Sequence, residues 1–370
     1  MNILFLADSL HSIAAGSERQ IYKLIDGLVA KGHKVSLKLL RQTDFTRQLT
    51  DFPCPVAALD IHSIASINAI KTMINLRQQI IKDQVDVVHA YFPDSCILAP
   101  LFLKTKRNVL FTSRRDMGLI YQGKPAWIYG ILSKRTDAVI SNSKAVSDFI
   151  SVKEKLKAKK TRVIYNGLEE YTAELEDSFT IFNQENSTKL ILVANIKPVK
   201  RTLDAVIATT QLIEKGHNLE LTLVGEDQDK DYVARIVDVI NKTNTGNRIK
   251  LTGSISEPRR LLSQAHVGLL VSESEGLSNT IMEYMHAGLP VIATNVGGNP
   301  ELVIDKQTGL LIEKGNIEQL KSAIISLAGD IELRKSLGAK GKLLIQKEFS
   351  IAALISKHEE IYISKSAHAQ

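Results

Sequence analysis

Apolar residues along this chain gather into short dense runs, each followed by a polar turn and then by a segment with helical spacing. Residues 2–8, 34–40, 86–91, 108–115, 138–143 and 162–167 are such runs. Runs of this length bounded by turn signals predict strands buried on both faces, since a half-exposed strand would alternate apolar and polar positions. Between the runs, residues 18–31 place Ile21, Leu24, Ile25 and Leu28 on one face and stop at Gly32, which predicts an amphipathic helix. Residues 66–84 read the same way. A polar, acidic stretch from 169 to 187 then interrupts the alternation and reads as a linker.

Beyond it the pattern restarts. Strands are predicted at 189–196, 219–225, 249–253, 267–271, 291–293 and 309–313. Helices are predicted at 203–215, 232–241, 279–287, 319–327, 331–347 and 351–363, with the last seven residues frayed. The expectation is an α/β protein of two doubly wound Rossmann-like domains facing a cleft that holds the ligand. The divisions expected are 1–180, 181–348 and a C-terminal segment 349–370.

Length and composition fit this reading: 370 residues with 44% hydrophobic and 24% charged positions suit two globular cores. Two cysteines, Cys54 and Cys96, make no disulfide framework or metal-ligand spacing, so a reduced, cytoplasmic compartment is expected. The opening MNILFLADSL has no basic leader and no apolar run reaches membrane-spanning length. Charge changes the picture more. Residues 1–180 carry 25 Lys and Arg against 18 Asp and Glu, and residues 181–370 carry 22 against 22. Within the first half, residues 101–162 hold 15 basic and 4 acidic side chains. Such a patch attracts polyanions. No nucleic-acid motif or stacking pattern accompanies it, which leaves a solvated basic surface, an anionic membrane surface or an anionic acceptor as readings.

Candidate chemistry concentrates between 267 and 303, VGLLVSESEGLSNTIMEYMHAGLPVIATNVGGNPELV. The pattern is strand, glycine-containing turn, helix and strand, with Gly288 and Pro290 stopping the helix. Ligands of parallel sheets sit beyond the carboxyl ends of strands. Glu275 in the turn and Glu283 in the helix bracket that place, separated by roughly 12 Å at most if the rise is helical. The helix start between them offers N–H groups to an anion. Two glutamates so spaced ordinarily mark a solvated helix face. Here the whole string resembles the signature of the retaining glycosyltransferases of family 4, group 1, which have the two-domain GT-B fold. Glu275 and Glu283 match that family's Glu-x7-Glu motif, and AGLPVIA at 287–293 and GGNPE at 297–301 match its next two elements.

The resemblance implies roles position by position. Glu283 would take ribose hydroxyls of the donor and Glu275 hydroxyls of the donor sugar. Backbone N–H groups of Gly276, Leu277, Ser278 and Asn279 would hold the sugar or phosphate. In ANIKPVKR, Lys200 aligns with the lysine that neutralises the departing diphosphate. Asn195 stands where the family has an arginine, with Lys197 or Arg201 as substitutes. AGSER resembles the family's Gly-Gly-x-Glu-Arg loop, with Ala15 for the first glycine and Gly16 as a donor-phosphate candidate. DVVHAY keeps His89, an acceptor-binding candidate, with Tyr91 for a second histidine. In NVLFTSRRD, Arg114, Arg115 and Asp116 occupy the place of the family's histidine, Arg114 and Arg115 as acceptor-binding candidates and Asp116 as a catalytic one beside Glu275 and Lys200.

The expected reaction is transfer of a sugar from a UDP- or GDP-linked donor to a glycan or lipid-linked acceptor, in polysaccharide or lipid-linked glycan synthesis. No cofactor beyond the donor is implied, and no metal. The acidic run EDQDKD at 226–231 has Tyr232 where a calcium loop needs glycine. Two domains on one linker are expected to close on the donor. The alternatives are a nucleotide-sugar epimerase of the same fold, a weakly active donor-binding subunit, and a nicotinamide oxidoreductase, the last disfavoured because no glycine fingerprint opens either half. No nucleic-acid partner is expected.

Overall fold

The apolar runs become two all-parallel sheets in the computed structural model, which describes residues 1–13, 16–170, 182, 186–255 and 257–366. The chain forms two units, Met1–Gly167 with Ile351–Gln370, and Leu168–Ser350. The sequence pattern placed the divisions at 180 and 348. Most of its expected linker (171–181 and 183–185), Ala15 and the last four residues lie outside the described residues.

In the first unit the strands are β1 Asn2–Ala7, β2 Lys34–Leu39, β3 Val56–Ala58, β4 Val87–Ala90, β5 Val109–Arg114, β6 Ala138–Ser141 and β7 Thr161–Val163. Its helices are α1 Gly16–Ala30, α2 Asp44–Arg47, α3 Ile67–Lys82, α4 Ser95–Phe102, α5 Ala126–Ser133 and α6 Lys144–Lys153. The sheet order is β3-β2-β1-β4-β5-β6-β7, so the topology reverses between β1 and β4. Successive side chains of a strand face opposite ways, and β1 shows what each side packs against. Ile3, Phe5 and Ala7 join Ile21, Leu24, Ile25 and Leu28 of α1, whereas Leu4 and Leu6 join residues of α3, α4 and α5.

The second unit contains β8 Thr188–Val193, β9 Leu219–Val224, β10 Ile249–Leu251, β11 Val267–Leu270, β12 Val291–Thr294 and β13 Gly309–Ile312. Its helices are α7 Thr202–Glu214, α8 Lys230–Lys242, α9 Asn279–His286, α10 Asn299–Leu302, α11 Ile317–Gly329 and α12 Ile331–Glu348. The order β10-β9-β8-β11-β12-β13 reverses between β8 and β11, which pair directly through Val267 with Leu190 and Gly268 with Ile191. That junction is where a doubly wound sheet leaves a crevice between diverging loops.

The chain's last helix, α13 Ile351–Ser366, belongs to the first unit. Leu354, Ile355 and Tyr362 are buried in the same core as α1. Gly27 lets the two helices meet, since a Cβ there would stand 2.0 Å from Ile355 Cδ1. Among the described residues no helix is long and apolar enough to cross a membrane. Both cysteines are buried free thiols, pushed up to about 12 by burial and so unreactive.

Candidate active site

The loops after β8 and β11 meet across the reversal of the second sheet. Lys200 Nζ, from the first loop, lies 2.6 Å from Glu275 Oε1, from the second. The adjacent residues repeat the pairing: Arg201 Nη1 is 3.1 Å from Glu273 Oε2, and Lys314 Nζ is 2.9 Å from Glu273 Oε1. These two cations hold the Glu273 carboxyl below the usual carboxylate range. The backbone joins in, with Glu273 N donating to Val199 O at 2.8 Å. The two acids of SESEG thus meet the two successive cations of VKR. Arg201 holds a left-handed φ of 49° and also binds Asp204 at 2.8 Å. It is thus engaged locally by Asp204 and Glu273, while Asn195, where the resembling family has an arginine, is exposed.

The turn carrying Glu275 is fixed from below. A Cβ on Gly297, whose φ is 51°, would fall 1.7 Å from Glu275 O, so only glycine permits this approach. Thr294 Oγ1 donates to Ser272 O at 2.7 Å. Ser278 is the N-cap of α9, accepting from Ile281 N at 3.2 Å, with Leu277 buried and Gly276 half-buried ahead of the helix and Asn279 half-buried at its first position. α9 is itself anchored through Tyr284, whose hydroxyl accepts from Val193 N at 2.6 Å while its ring covers Gly268. That anchoring sets the position of Glu283, one residue earlier. Arg259 Nε and Nη2 both lie 3.0 Å from Glu283 Oε1. Arg259, 24 residues before Glu283 in the chain, carries no motif signal. The structure thus brings Lys200, Glu275, Gly276, Ser278 and Glu283 onto the two loops and one helix of the second sheet's reversal.

In the first unit the expected residues separate into two groups. Gly16 opens α1 with φ 69°, and Arg115 Nε donates to Ser17 Oγ at 3.3 Å while its Nη2 donates to Asn166 Oδ1. Arg115 also lies over the Tyr91 ring, and burial pulls its pKa down. Gly16, Arg115 and Asn166 therefore converge.

Arg114 and His89 do not join them. Arg114 is buried, its Nε 2.6 Å and Nη2 3.2 Å from the two oxygens of buried Glu154. Burial disfavours its charge, but Glu154 outweighs that and holds the guanidinium above its ordinary pKa. The acceptor-binding role expected of Arg114 is corrected: buried Glu154 holds its guanidinium in the core. His89 is fully buried, with Nδ1 2.6 Å from the Tyr362 hydroxyl and Nε2 2.9 Å from Ser113 Oγ. Burial drives its pKa well below the ordinary value, helped by His358 and Arg115. It is a neutral strut under α13 rather than an acceptor ligand, again a correction. Asp116 Oδ1 accepts from Gly118 N at 2.8 Å and Ile120 N at 3.1 Å. It organises the turn before α5 through that one oxygen. Asp229 of the acidic run caps α8 through Tyr232 N, and no metal-ligand cluster occurs among the described residues.

Comparison with known proteins bears on the family and the fold. The model for "Glycosyl transferases group 1" matches residues 174–344, and that for "Glycosyltransferase Family 4" matches residues 14–170. The N-acetyl-alpha-D-glucosaminyl L-malate synthase of Bacillus anthracis is 29% identical over 178 residues, 48% of this chain and 46% of that protein. The chain thus spans about half of that relative's length. An uncharacterized glycosyltransferase of Methanocaldococcus jannaschii, MJ1178, is 29% identical over 305 residues, 80% of this chain and 79% of that protein. Among solved structures, Anabaena Alr3699/HepE in complex with UDP superposes with a TM-score of 0.84 at 19% identity, covering 98% of this chain and 100% of that one. That likeness establishes the two-domain GT-B fold.

Proposed function

The chain belongs to the group 1, family 4 glycosyltransferases, and on that premise we propose that it moves a sugar, with retention, from a nucleoside-diphosphate sugar to a hydroxyl of a glycan or lipid-linked acceptor. In this reading the bond from the sugar C1 to the diphosphate oxygen breaks as a bond from the acceptor oxygen to C1 forms on the same face. The acceptor's proton passes to the departing diphosphate.

The observation that carries the proposal is the 2.6 Å Lys200–Glu275 pair across the reversal of the second sheet. An ammonium has three donors, so Lys200 can keep Glu275 oriented and still donate to the diphosphate. Stabilising that leaving charge is commonly among the larger electrostatic contributions to such a reaction. Glu275, so held, accepts from hydroxyls of the donor sugar. Glu283, oriented by Arg259 on one oxygen, accepts from the ribose hydroxyls. Backbone groups from Gly276 to Asn279 line the helix start, where an anion is favoured. Arg115, beside Gly16 and Asn166, is the acceptor-side cation of the first unit.

A subunit that binds donor without transferring its sugar is the reading favoured by Asn195 and the locally engaged Arg201. Release of nucleoside diphosphate from UDP- and GDP-linked sugars, assayed with and without a polyprenyl-diphosphate glycan, separates the cases. Release that requires acceptor, with the donor's anomeric configuration kept in the product, supports transfer. Release without acceptor, or binding with no release under either condition, rejects it.

A further inference from the structure

The solvent side of the α3–α4–α5 layer is not used by the donor-site chemistry. α3 turns Ala69, Met73, Leu76 and Ile80 toward the sheet, yet Ile67, Ile70, Ile74 and Ile81 stand in solvent, Ile67 at 73% exposure. Positions seven apart drift by only about 20° on a helix, so Ile67, Ile74 and Ile81 form one line opposite the buried face. α4, which touches both α3 and α5, adds exposed Leu101. α5 adds Trp127, 62% exposed, and Ile131 one turn later, and Leu119 stands exposed in the short helical turn before it. Single exposed apolar residues are ordinary, whereas a set spread over adjoining helices marks a contact surface.

The exposed charge on this layer is mainly positive, although Asp83, the residue that ends α3, is exposed beside Lys82. No Asp or Glu occurs in α3, α4 or α5, nor in the 103–108 connection, while Lys71, Lys82, Lys106, Arg107, Lys134 and Arg135 are exposed on or beside them. We propose that this face seats on an anionic lipid bilayer, its apolar side chains entering the boundary between headgroups and acyl chains and its cations meeting lipid phosphates. A second copy of the chain is a poor occupant, because a two-fold contact sets a patch against itself and would bring these cations together. An anionic bilayer supplies the opposite charge. Trp127 fits the same occupant, since an indole favours the headgroup depth. The inference rests on the first unit alone and stands or falls separately from the donor-site reading.

Trp127 is the chain's single tryptophan, so its fluorescence reports on this face. Mixing the full chain with vesicles of phosphatidylcholine and phosphatidylglycerol is expected to shift its emission to shorter wavelength. Vesicles of phosphatidylcholine alone should leave it unchanged, and high salt should reverse the shift. Ile67→Ser with Ile74→Ser should lower the vesicle partition coefficient about tenfold. Three outcomes overturn the proposal: no shift with either vesicle, vesicle binding that leaves Trp127 emission unchanged, or a lipid-free shift that tracks a doubling of mass with concentration.

Discussion

Glu154 holds four donors on two buried oxygens: Arg114 Nε and Nη2, the Tyr121 hydroxyl at 2.8 Å and Ser133 Oγ at 3.2 Å. Such a pair need not stabilise relative to an apolar core, but removing one partner leaves the other charge buried alone. Glu154→Ala is expected to cost about 3–5 kcal/mol in urea unfolding. A midpoint equal to wild type would contradict the structural role assigned to Arg114. The same residues show what the sequence withheld. SRRD displays its cations, but the partner that decides between core and site lies 40 residues further on. For His89 the deciding partner, Tyr362, is 273 residues away. Lys200, Glu275 and Glu283 stood out in the sequence through the motifs that carry the family resemblance, since their spacing alone marks only a solvated helix face. Arg259 was not, since an arginine in a short helical turn has no period to mark it.

At the scale of elements, every predicted strand run forms a strand, because a run buried on both faces leaves a dense apolar signal. β3, α2, α4, α5, α6 and α10 escaped it. The first two are only three and four residues long. α5, AWIYGILS, is apolar almost all round and so lacks a helical period. α13 was legible as amphipathic, but its seat on His89 was not. In that seat His358 Nδ1 donates to Leu354 O at 2.8 Å, and burial lowers its pKa to about 4, with Arg115 acting in the same direction. The folded state therefore binds this proton less readily than the unfolded chain, whose histidine titrates near 6.5. Stability is fully present above about pH 6.5 and falls as pH drops through about 4, by about 3 kcal/mol for His358. His89 is shifted in the same direction. Urea midpoints measured across that range should fall in wild type and fall less in His358→Gln. Equal slopes would remove α13's histidine from the explanation.

The chain as a whole makes its first unit from two distant segments, residues 1–167 and 351–370, with the second unit inserted between them. Leu354, Ile355 and Tyr362 each bury a side chain worth about 1.5–3 kcal/mol. Their sum is comparable with a domain's entire stability of about 5–15 kcal/mol. Truncation after Ser350 should therefore speed hydrogen exchange across β1, β4 and β5 and leave β8, β9 and β11 protected. Equal protection in both sheets would refute this division of labour. The second unit holds the central claim, that Lys200, Glu275 and Glu283 form a nucleotide-sugar site. The most direct measurement is calorimetric titration of UDP and of GDP into wild type and Glu283→Ala. One nucleotide should bind wild type and lose at least about 1–3 kcal/mol in the variant, as the loss of a charged hydrogen bond requires. Failure of both to bind wild type, or equal affinity for the two proteins, would contradict it.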